Sequence, residues 1–253
     1  MTKTALITGA TSGIGLACAH QLAAKGFRLV LLARREQLLQ EHALSIGKQY
    51  GVELKTLVVD VRDRDLLTQS LTNLPADWRN IDVLINNAGL SQGLDPIDAG
   101  SMDDWDTMID TNVKGFLYVT KIVSQWMVAQ QKGHIVNIGS ITGKEVYPNG
   151  NVYCATKHAV DALSKAMRID LLRHGIKVTA IHPGMVETEF SIVRFKGDER
   201  RAKKVYEGVE PLLAEDIADA ICYVISRPAH VNINDMLIMP TAQANGTIVE
   251  RKA

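Results

Sequence analysis

Short apolar runs alternate with longer amphipathic segments along the chain. The runs are rich in Val, Ile and Leu, as is typical of strands that are buried on both faces of a sheet. They occupy residues 5–7, 29–32, 57–59, 83–85, 135–138, 178–181 and 236–239. Between them, apolar residues recur at helical spacing over 14–25, 37–48, 105–129, 152–173 and 215–225. This alternation predicts an α/β fold, a doubly wound parallel sheet of about seven strands with helices on both faces.

The domain organisation follows from what the chain lacks. No stretch rich in Pro, Gly or Ser divides it, so residues 1–253 are predicted to form a single domain. The alternating pattern breaks over residues 187–210, which include a charged stretch from Arg194 to Arg201. Two interpretations of this segment stay open, a lid over a substrate site and a solvated surface excursion.

Charge and cysteine content limit the partners and the compartment. The 28 Lys and Arg residues are balanced by 28 Asp and Glu residues, so there is no net positive field to attract nucleic acid or an anionic membrane. The three cysteines show neither metal-ligand nor disulfide spacing, which predicts no metal site and favours a reducing cytosol. No apolar run approaches the roughly 18 residues that span a bilayer. We therefore expect a cytoplasmic protein without nucleic-acid or membrane partners.

A glycine-rich turn follows the first predicted strand and opens the first predicted helix. It reads Thr8-Gly9-Ala10-Thr11-Ser12-Gly13-Ile14-Gly15. Glycines at these positions permit a tight turn, close approach of backbone N–H groups to a pyrophosphate, and close packing of helix on strand. The strand before and the helix after make this turn a candidate dinucleotide site.

The end of the second strand bears on the choice of nucleotide. An NAD site is expected to have an acidic residue there, but this chain has Ala33-Arg34-Arg35. Two guanidinium groups suit a 2′-phosphate, which they can hold by bidentate, charge-assisted bonds. These residues predict NADP, although Glu36 keeps an NAD interpretation open.

A candidate acid/base group lies at the start of the helix predicted over 152–173. Tyr153 and Lys157 are spaced i, i+4 and so lie on one helix face. An ammonium group beside a phenol stabilises the phenolate, which is what acid/base work on an alcohol at neutral pH requires. Ser140 follows the strand predicted over 135–138 and is suited to hold a carbonyl oxygen. His182 is interpreted as structural, because the tyrosine fills the acid/base role.

The motifs of this chain, in their order along the sequence, resemble those of the short-chain dehydrogenase/reductase family, and the resemblance covers nearly the entire chain. They are the turn from Thr8 to Gly15, Asp60, Asn86-Asn87-Ala88-Gly89, Asn112, Ser140, Tyr153 with Lys157, and Pro183-Gly184 followed by Thr188. The resemblance implies a Rossmann fold, an NADP-dependent oxidoreductase acting on CH–OH groups, and a catalytic set of Asn112, Ser140, Tyr153 and Lys157. It also implies that Lys157 lowers the pKa of Tyr153 and that Asn112 holds a water of a proton relay.

The resemblance implies a cofactor-binding set as well, which we carry over residue by residue. Its members come from the glycine turn, the two arginines, the segments after three further predicted strands, and the helix that carries Tyr153. They are Gly9, Thr11, Ser12, Gly13, Ile14, Gly15, Arg34, Arg35, Asp60, Val61, Asn87, Ala88, Gly89, Tyr153, Lys157, Pro183, Gly184, Val186 and Thr188.

Within that family, three stretches are similar to the NADP-dependent 3-hydroxy acid dehydrogenases, which oxidise serine, allo-threonine and related acids. They cover residues 105–112, 189–198 and 228–240. A small anionic substrate needs a bidentate guanidinium partner, and Arg194 is the first candidate. Tyr147 and Gln243 are further candidates beside Ser140 and Tyr153. One arginine cannot distinguish a carboxylate from a sulfonate, so a sulfoacetaldehyde reductase that forms isethionate stays an alternative.

Two further expectations concern assembly and class. The helices predicted over 105–129 and 152–173 are apolar on more than one face. In this family they form a dimer interface and a further contact through the last strand gives a tetramer, so the resemblance implies a homotetramer. A non-catalytic NADP-binding sensor is the alternative from another class, since fold does not fix function. Such a protein is expected to lose the acid/base pair, which this chain keeps.

Overall fold

The computed structural model describes residues 2–252. Seven parallel strands form one sheet in the order β3-β2-β1-β4-β5-β6-β7. This confirms the predicted Rossmann-type sheet. The strands are β1 (Thr4–Thr8), β2 (Arg28–Ala33), β3 (Leu54–Val58), β4 (Val83–Asn86), β5 (Gly133–Ile138), β6 (Ile176–Pro183) and β7 (Asp235–Ile238).

Helices cover both faces of the sheet, and the central strands are apolar on both sides for that reason. Alternate residues of β1 face opposite cores: Ile7 packs with α1, α2 and α9, and Leu6 packs with α3, α5 and α6. The helices are α1 (Gly13–Ala24), α2 (Glu36–Tyr50), α3 (Arg64–Thr72), α4 (Met102–Ile109), α5 (Phe116–Gln130), α6 (Asn151–Leu171), α7 (Phe190–Arg194), α8 (Glu199–Lys204) and α9 (Ala214–Ile225).

The single helix predicted over 105–129 is wrong in one respect. The structure has α4 and α5 joined by a π-helical segment, Asp110–Gly115, with buried Thr111 and Asn112. A Cβ at Gly115 would lie 2.6 Å from Cγ2 of Val61, so the segment passes close to the loop after β3. Such π segments are frequent at functional sites and leave the apolar periodicity almost unchanged, which is why the pattern did not reveal the break.

Two other differences concern the edge of the sheet. The strand predicted over 57–59 is β3 at Leu54–Val58, because an edge strand is only half covered and its residues are mostly half-buried. The helix α3 was not predicted. Only two of its nine residues, Leu67 and Leu71, are buried, and its start is marked by Asp63, which accepts a hydrogen bond from the Leu66 N–H at 3.0 Å.

The segment 187–210 contains two short helices, α7 and α8, and the C-terminal segment lies against it. The Lys252 N–H donates to the Gly208 carbonyl at 2.8 Å, and Arg251 donates to the carbonyls of Val205 and Glu207. The three cysteines are buried and unpaired. Over the described part of the chain, the helices that are long enough to cross a membrane are not apolar enough to do so.

Candidate active site

A cavity of about 680 Å³ lies at the carboxyl ends of the strands, where loops diverge between the neighbouring strands β1 and β4. Ligands of open α/β sheets bind at this kind of switch point. Of the residues predicted from the sequence for catalysis, cofactor or substrate, all but Gly15 and Asn112 line the cavity.

The glycine turn forms the floor of one end of the cavity. Gly9 and Gly13 have φ of 67° and 51°, a region that favours glycine. A Cβ at Gly15 would lie 2.3 Å from the Gly9 carbonyl oxygen, so only glycine lets α1 start this close to the turn. The N-terminus of α1, with its free N–H groups, therefore opens directly onto the cavity, which suits a phosphate group.

Asn87 ties this turn to the segment after β4. Its Nδ2 donates to the Thr8 carbonyl at 2.9 Å and to the Gly9 carbonyl at 3.2 Å. The Thr8 hydroxyl in turn accepts from the N–H groups of Asn87 and Ala88. These bonds fix the spacing between the two loops that form the walls of the cavity.

The two arginines after β2 also line the cavity. Arg35 donates to the Thr11 hydroxyl at 3.1 Å and forms an ion pair of 2.8 Å with Glu189. Arg34 pairs with Asp60 at 3.4 Å. Sequence reasoning missed Glu189, although an acid directly after Thr188 and ahead of a charged lid segment was a visible signal.

Asp60 remains a carboxylate in this setting. Burial acts to raise its pKa, but hydrogen bonds from Arg62 and the charge of Arg34 outweigh burial and bring the pKa below its ordinary value. At this end of the cavity the two arginines are therefore each paired with an acid, Arg34 with Asp60 and Arg35 with Glu189.

The predicted acid/base group lies at the other end. Tyr153 and Lys157 face the cavity from the first turns of α6, and both side chains are buried. Lys157 Nζ donates to the Ile138 carbonyl at 2.9 Å and lies 6.0 Å from the centre of the Tyr153 ring. The Ser140 hydroxyl accepts from the Thr142 N–H at 3.1 Å, which fixes its direction at the end of β5.

Burial dominates the electrostatics of this pair. It raises the pKa of Tyr153 to about 12 against the opposing charge of Arg194, and it lowers the pKa of Lys157 to about 8. The guanidinium of Arg194, 5.3 Å from the Tyr153 ring, is thus a cation that acts on the phenol. The sequence singled out Arg194 for substrate binding alone.

Asn112 does not line the cavity but supports its wall. Its Nδ2 donates to the Leu90 carbonyl at 2.8 Å and to the Thr156 hydroxyl at 3.1 Å, and its Oδ1 accepts from the Leu90 N–H at 2.9 Å. A Cβ at Gly89 would lie 3.2 Å from Asn112 Oδ1. The side chain is therefore held against the segment that faces Lys157, and its predicted part in a water relay stays a prediction.

Arg194 is the cation best placed to receive a small anion. It ends α7, where Nε donates to the Ser91 hydroxyl at 3.1 Å and Nη2 to the Tyr147 hydroxyl at 2.5 Å. None of the hydrogen bonds that it makes with residues 2–252 uses Nη1. The guanidinium also lies 5.3 Å from the ring of Phe190, another cavity residue that sequence reasoning missed.

Gln243 lines the cavity, but its amide is engaged within the protein. Oε1 accepts from the Met185 N–H at 2.8 Å, and Nε2 donates to the Asn245 carbonyl at 3.1 Å. The residue thus holds the C-terminal segment against the turn after β6. The bond to Asn245 uses one of the two Nε2 hydrogens, so the predicted donation to substrate would fall to the other one.

Comparison with known sequences and structures identifies the relatives of this chain. A family profile described as short chain dehydrogenase matches residues 3–199. An NADP-dependent 3-hydroxy acid dehydrogenase, YdfG of Salmonella typhi, is 45% identical over 240 residues, covering 94% of this chain and 95% of that protein. An NADP-dependent 3-hydroxy acid dehydrogenase of Schizosaccharomyces pombe is 42% identical over 251 residues, covering 99% and 97%.

A solved structure agrees with these sequence relatives. The closed form of serine dehydrogenase complexed with NADP+ superposes with a TM-score of 0.92 at 42% identity, covering 99% of this chain and 100% of that one. The similarity therefore extends over the sheet, the cavity and the lid segment together.

Proposed function

Because the chain belongs to the short-chain dehydrogenase family, we propose that it is an NADP-dependent oxidoreductase that interconverts a small 3-hydroxy acid and its carbonyl form. The candidate substrates are serine, allo-threonine and 3-hydroxypropionate. One observation carries the substrate class: the Arg194 guanidinium lies 5.3 Å from the ring of Tyr153 in a shared cavity. A carboxylate bound to Arg194 brings the hydroxyl of a short acid to the phenol.

The residues present fit a dinucleotide. The glycine turn opens the start of α1 to a pyrophosphate. A Cβ would lie 2.9 Å from Asn87 Nδ2 at Gly9, 3.1 Å from Thr188 Cγ2 at Gly13 and 2.3 Å from the Gly9 carbonyl oxygen at Gly15. Arg34 and Arg35 would hold a 2′-phosphate, for which Arg35 would have to exchange its contact with Glu189. When bound, NADP accepts a hydride from the alcohol and NADPH donates one to the carbonyl compound.

The chain's own residues handle the proton. In oxidation the Tyr153 oxygen accepts the proton of the substrate hydroxyl, and in reduction it returns that proton to the carbonyl oxygen. The Ser140 hydroxyl, directed by the Thr142 N–H, orients the substrate oxygen and stabilises charge on it. The charge of Arg194 opposes burial and favours the phenolate form of Tyr153. Lys157, 6.0 Å from the centre of the same ring, is the second cation nearby.

The substrate anion is recognised at the lid side of the cavity. Arg194 offers Nη1 and exchanges the Tyr147 hydroxyl for an anionic oxygen, while Ser91 continues to hold Nε. Phe190, 5.5 Å from the Tyr153 ring, excludes water from the space between them. Residues 187–210 then act as the predicted lid, because α7 carries both Phe190 and Arg194.

The experiment that tests the substrate class compares carboxylates with sulfonates. We would measure kcat/KM with NADPH for malonate semialdehyde and sulfoacetaldehyde, and with NADP for serine and 3-hydroxypropionate. We expect the carboxylate aldehyde to be preferred by about 100-fold, which corresponds to about 2.7 kcal/mol of transition-state binding. A preference of that size for sulfoacetaldehyde would instead support the sulfonate reductase.

A cofactor prediction concerns the two arginines after β2. Replacing both with alanine is expected to raise KM for NADPH by about 100-fold and KM for NADH by less than about threefold, because only NADPH carries the 2′-phosphate. Arg62→Ala is the matched control, since Arg62 pairs with Asp60 but does not line the cavity. Equal effects on both cofactors would contradict the assignment.

The proposed assembly is a homotetramer in which α4, α5 and α6 pack against a second copy. Large apolar side chains are exposed on these helices: Ile109 and Leu117 at 39% and 37%, and Ile169 at 77%. Contact with a second copy would remove this surface from water. A fully active monomer in a solution mass measurement would contradict this assembly.

A further inference from the structure

A histidine and three charged side chains form a cluster beside the backbone of Ser140. His182 lies on β6, Asp161 on α6 and Asp235 at the start of β7, and Lys144 follows the short turn after Ser140. None of these four residues lines the cavity described above. Because the cluster joins the segments that carry Ser140 and Tyr153, it is placed to influence both.

The imidazole of His182 lies between two acceptors. Its Nδ1 is 3.1 Å from the Ser140 carbonyl oxygen, and its Nε2 is 3.2 Å from Asp235 Oδ2 and 3.5 Å from Asp161 Oδ1. The ring is fully buried, and Nε2 makes no hydrogen bond with the rest of the described chain. A neutral imidazole has one N–H, so it can serve only one of these two sides.

Lys144 provides the positive charge between the carboxylates. Its Nζ donates at 2.6 Å to Asp161 Oδ1 and at 2.6 Å to Asp235 Oδ2. Lys165 donates to the other oxygen of Asp161 at 2.7 Å. Because an ammonium group already binds both carboxylates, the cluster is balanced without a metal ion.

The imidazole also shapes the backbone that leads into Ser140. A Cβ at Gly139 would lie 2.5 Å from His182 Nδ1, and the Gly139 N–H donates to the Ile181 carbonyl at 2.7 Å. Residues 139 and 140 therefore lie directly against the ring. A change in the bond from Nδ1 to the Ser140 carbonyl moves the backbone that directs the Ser140 hydroxyl.

We propose that His182 is a positioning residue for Ser140, holding its backbone carbonyl through Nδ1 under the control of the charges of Lys144, Asp161 and Asp235. The inference rests on the proposed role of Ser140 in orienting the substrate oxygen. It assigns to His182 a part in the reaction that the sequence did not reveal, since a histidine beside Pro183 was interpreted as structural.

The charges around His182 determine its protonation. Burial lowers the pKa of His182 and the charge of Lys144 lowers it further, whereas the charges of Asp235 and Asp161 raise it; burial is the largest of these effects. At neutral pH the ring is then neutral, and its single proton lies on Nδ1, facing the Ser140 carbonyl. On acidification Nε2 gains a proton while Nδ1 keeps its own. The imidazolium then competes with Lys144 for the two carboxylates, so the position of the ring that holds the Ser140 carbonyl changes with pH.

The first test observes the imidazole directly in the full-length protein. With histidine labelled by 13C and 15N, NMR reports the tautomer and pKa of His182, assigned by the signal that is missing in His182→Asn. We expect the Nδ1–H tautomer at neutral pH. Lys144→Met should raise the pKa of His182 by about 1, and Lys165→Met, which removes a cation from the same carboxylate cluster, should leave it nearly unchanged.

The second test measures turnover with NADP and 3-hydroxypropionate. The amide of His182→Asn can still donate to the Ser140 carbonyl, whereas His182→Leu cannot. We expect His182→Leu to lower kcat by about 30-fold with KM for NADP unchanged, and His182→Asn to retain kcat within about threefold. A purely packing role predicts equal losses in both variants.

The outcomes separate this inference from the proposed function. An Nε2–H tautomer, a His182 pKa that does not respond to Lys144→Met, or equal kcat in the two His182 variants overturns it. A wild-type protein without oxidoreductase activity refutes the proposed function instead, and the NMR test of the His182–Ser140 link still applies. If His182→Leu fails to fold, the NMR comparison of Lys144→Met and Lys165→Met decides.

Discussion

Replacing Tyr153 with phenylalanine is expected to lower kcat/KM by about 10³-fold in both directions of the reaction, within the range for loss of a general acid/base. The substitution removes only the hydroxyl, and the ring of Tyr153 keeps its contact with Phe190. Because proton transfer belongs to the chemical step, the loss is expected in kcat. Steady-state rates with NADP and 3-hydroxypropionate, followed by formation of NADPH, measure it.

A matched tyrosine makes this experiment specific. Tyr50→Phe also removes one hydroxyl, from a residue outside the cavity that contacts His20, and it should leave kcat within about twofold of wild type. Turnover by Tyr153→Phe at the wild-type rate would contradict the mechanism. Absence of turnover by wild type on every substrate tested would support the non-catalytic sensor.

Replacing Arg194 with alanine is expected to lower kcat/KM for 3-hydroxy acids by about 100-fold or more. The substrate carboxylate then enters a partly buried site without its cation, and such losses are large. Because the Arg194 charge lowers the pKa of Tyr153, its removal raises that pKa further. Alcohol oxidation needs the phenolate, so its pH profile should shift to higher pH. Carbonyl reduction needs the protonated phenol, which a raised pKa preserves.

The control for Arg194 comes from the same lid. Arg201→Ala removes a guanidinium that stacks 4.5 Å from Phe195 and does not line the cavity, so kcat/KM should change by less than about threefold. A small neutral alcohol provides a second control, because it has no carboxylate and so no ion pair with Arg194 to lose. An Arg194→Ala variant that loses as much activity on the neutral alcohol as on the acid would show that Arg194 is not the anion site.

The fold could be predicted from the sequence because its central strands are buried on both faces. Residues such as Leu6 and Ile7 are 0% exposed, and only an apolar run satisfies two cores at once. The edge was harder, since β3 is half-buried and α3 contributes only Leu67 and Leu71 to the core. The break at Asp110–Gly115 was invisible because one π turn hardly disturbs the spacing of apolar residues.

The residues of the candidate site likewise fall into those that the sequence could predict and those that it could not. The position of residues that line the cavity at a strand end, such as Gly9 and Ser140, follows from motif and order along the chain. Contacts between distant segments do not: Arg35 and Glu189 are 154 positions apart, and Arg194 and Ser91 are 103 apart. The link from His182 to Ser140 belongs to this second class, with 42 positions between the partners.

The central claim is that the cavity selects a small hydroxy anion, and one comparison tests it most directly. Initial rates with NADP would be measured for 3-hydroxypropionate and for 1-propanol, which has the same three carbons and a hydroxyl but no carboxylate. We expect kcat/KM to favour 3-hydroxypropionate by about 100-fold or more, as an ion pair at Arg194 requires. Equal values, or a preference for 1-propanol, would contradict the account.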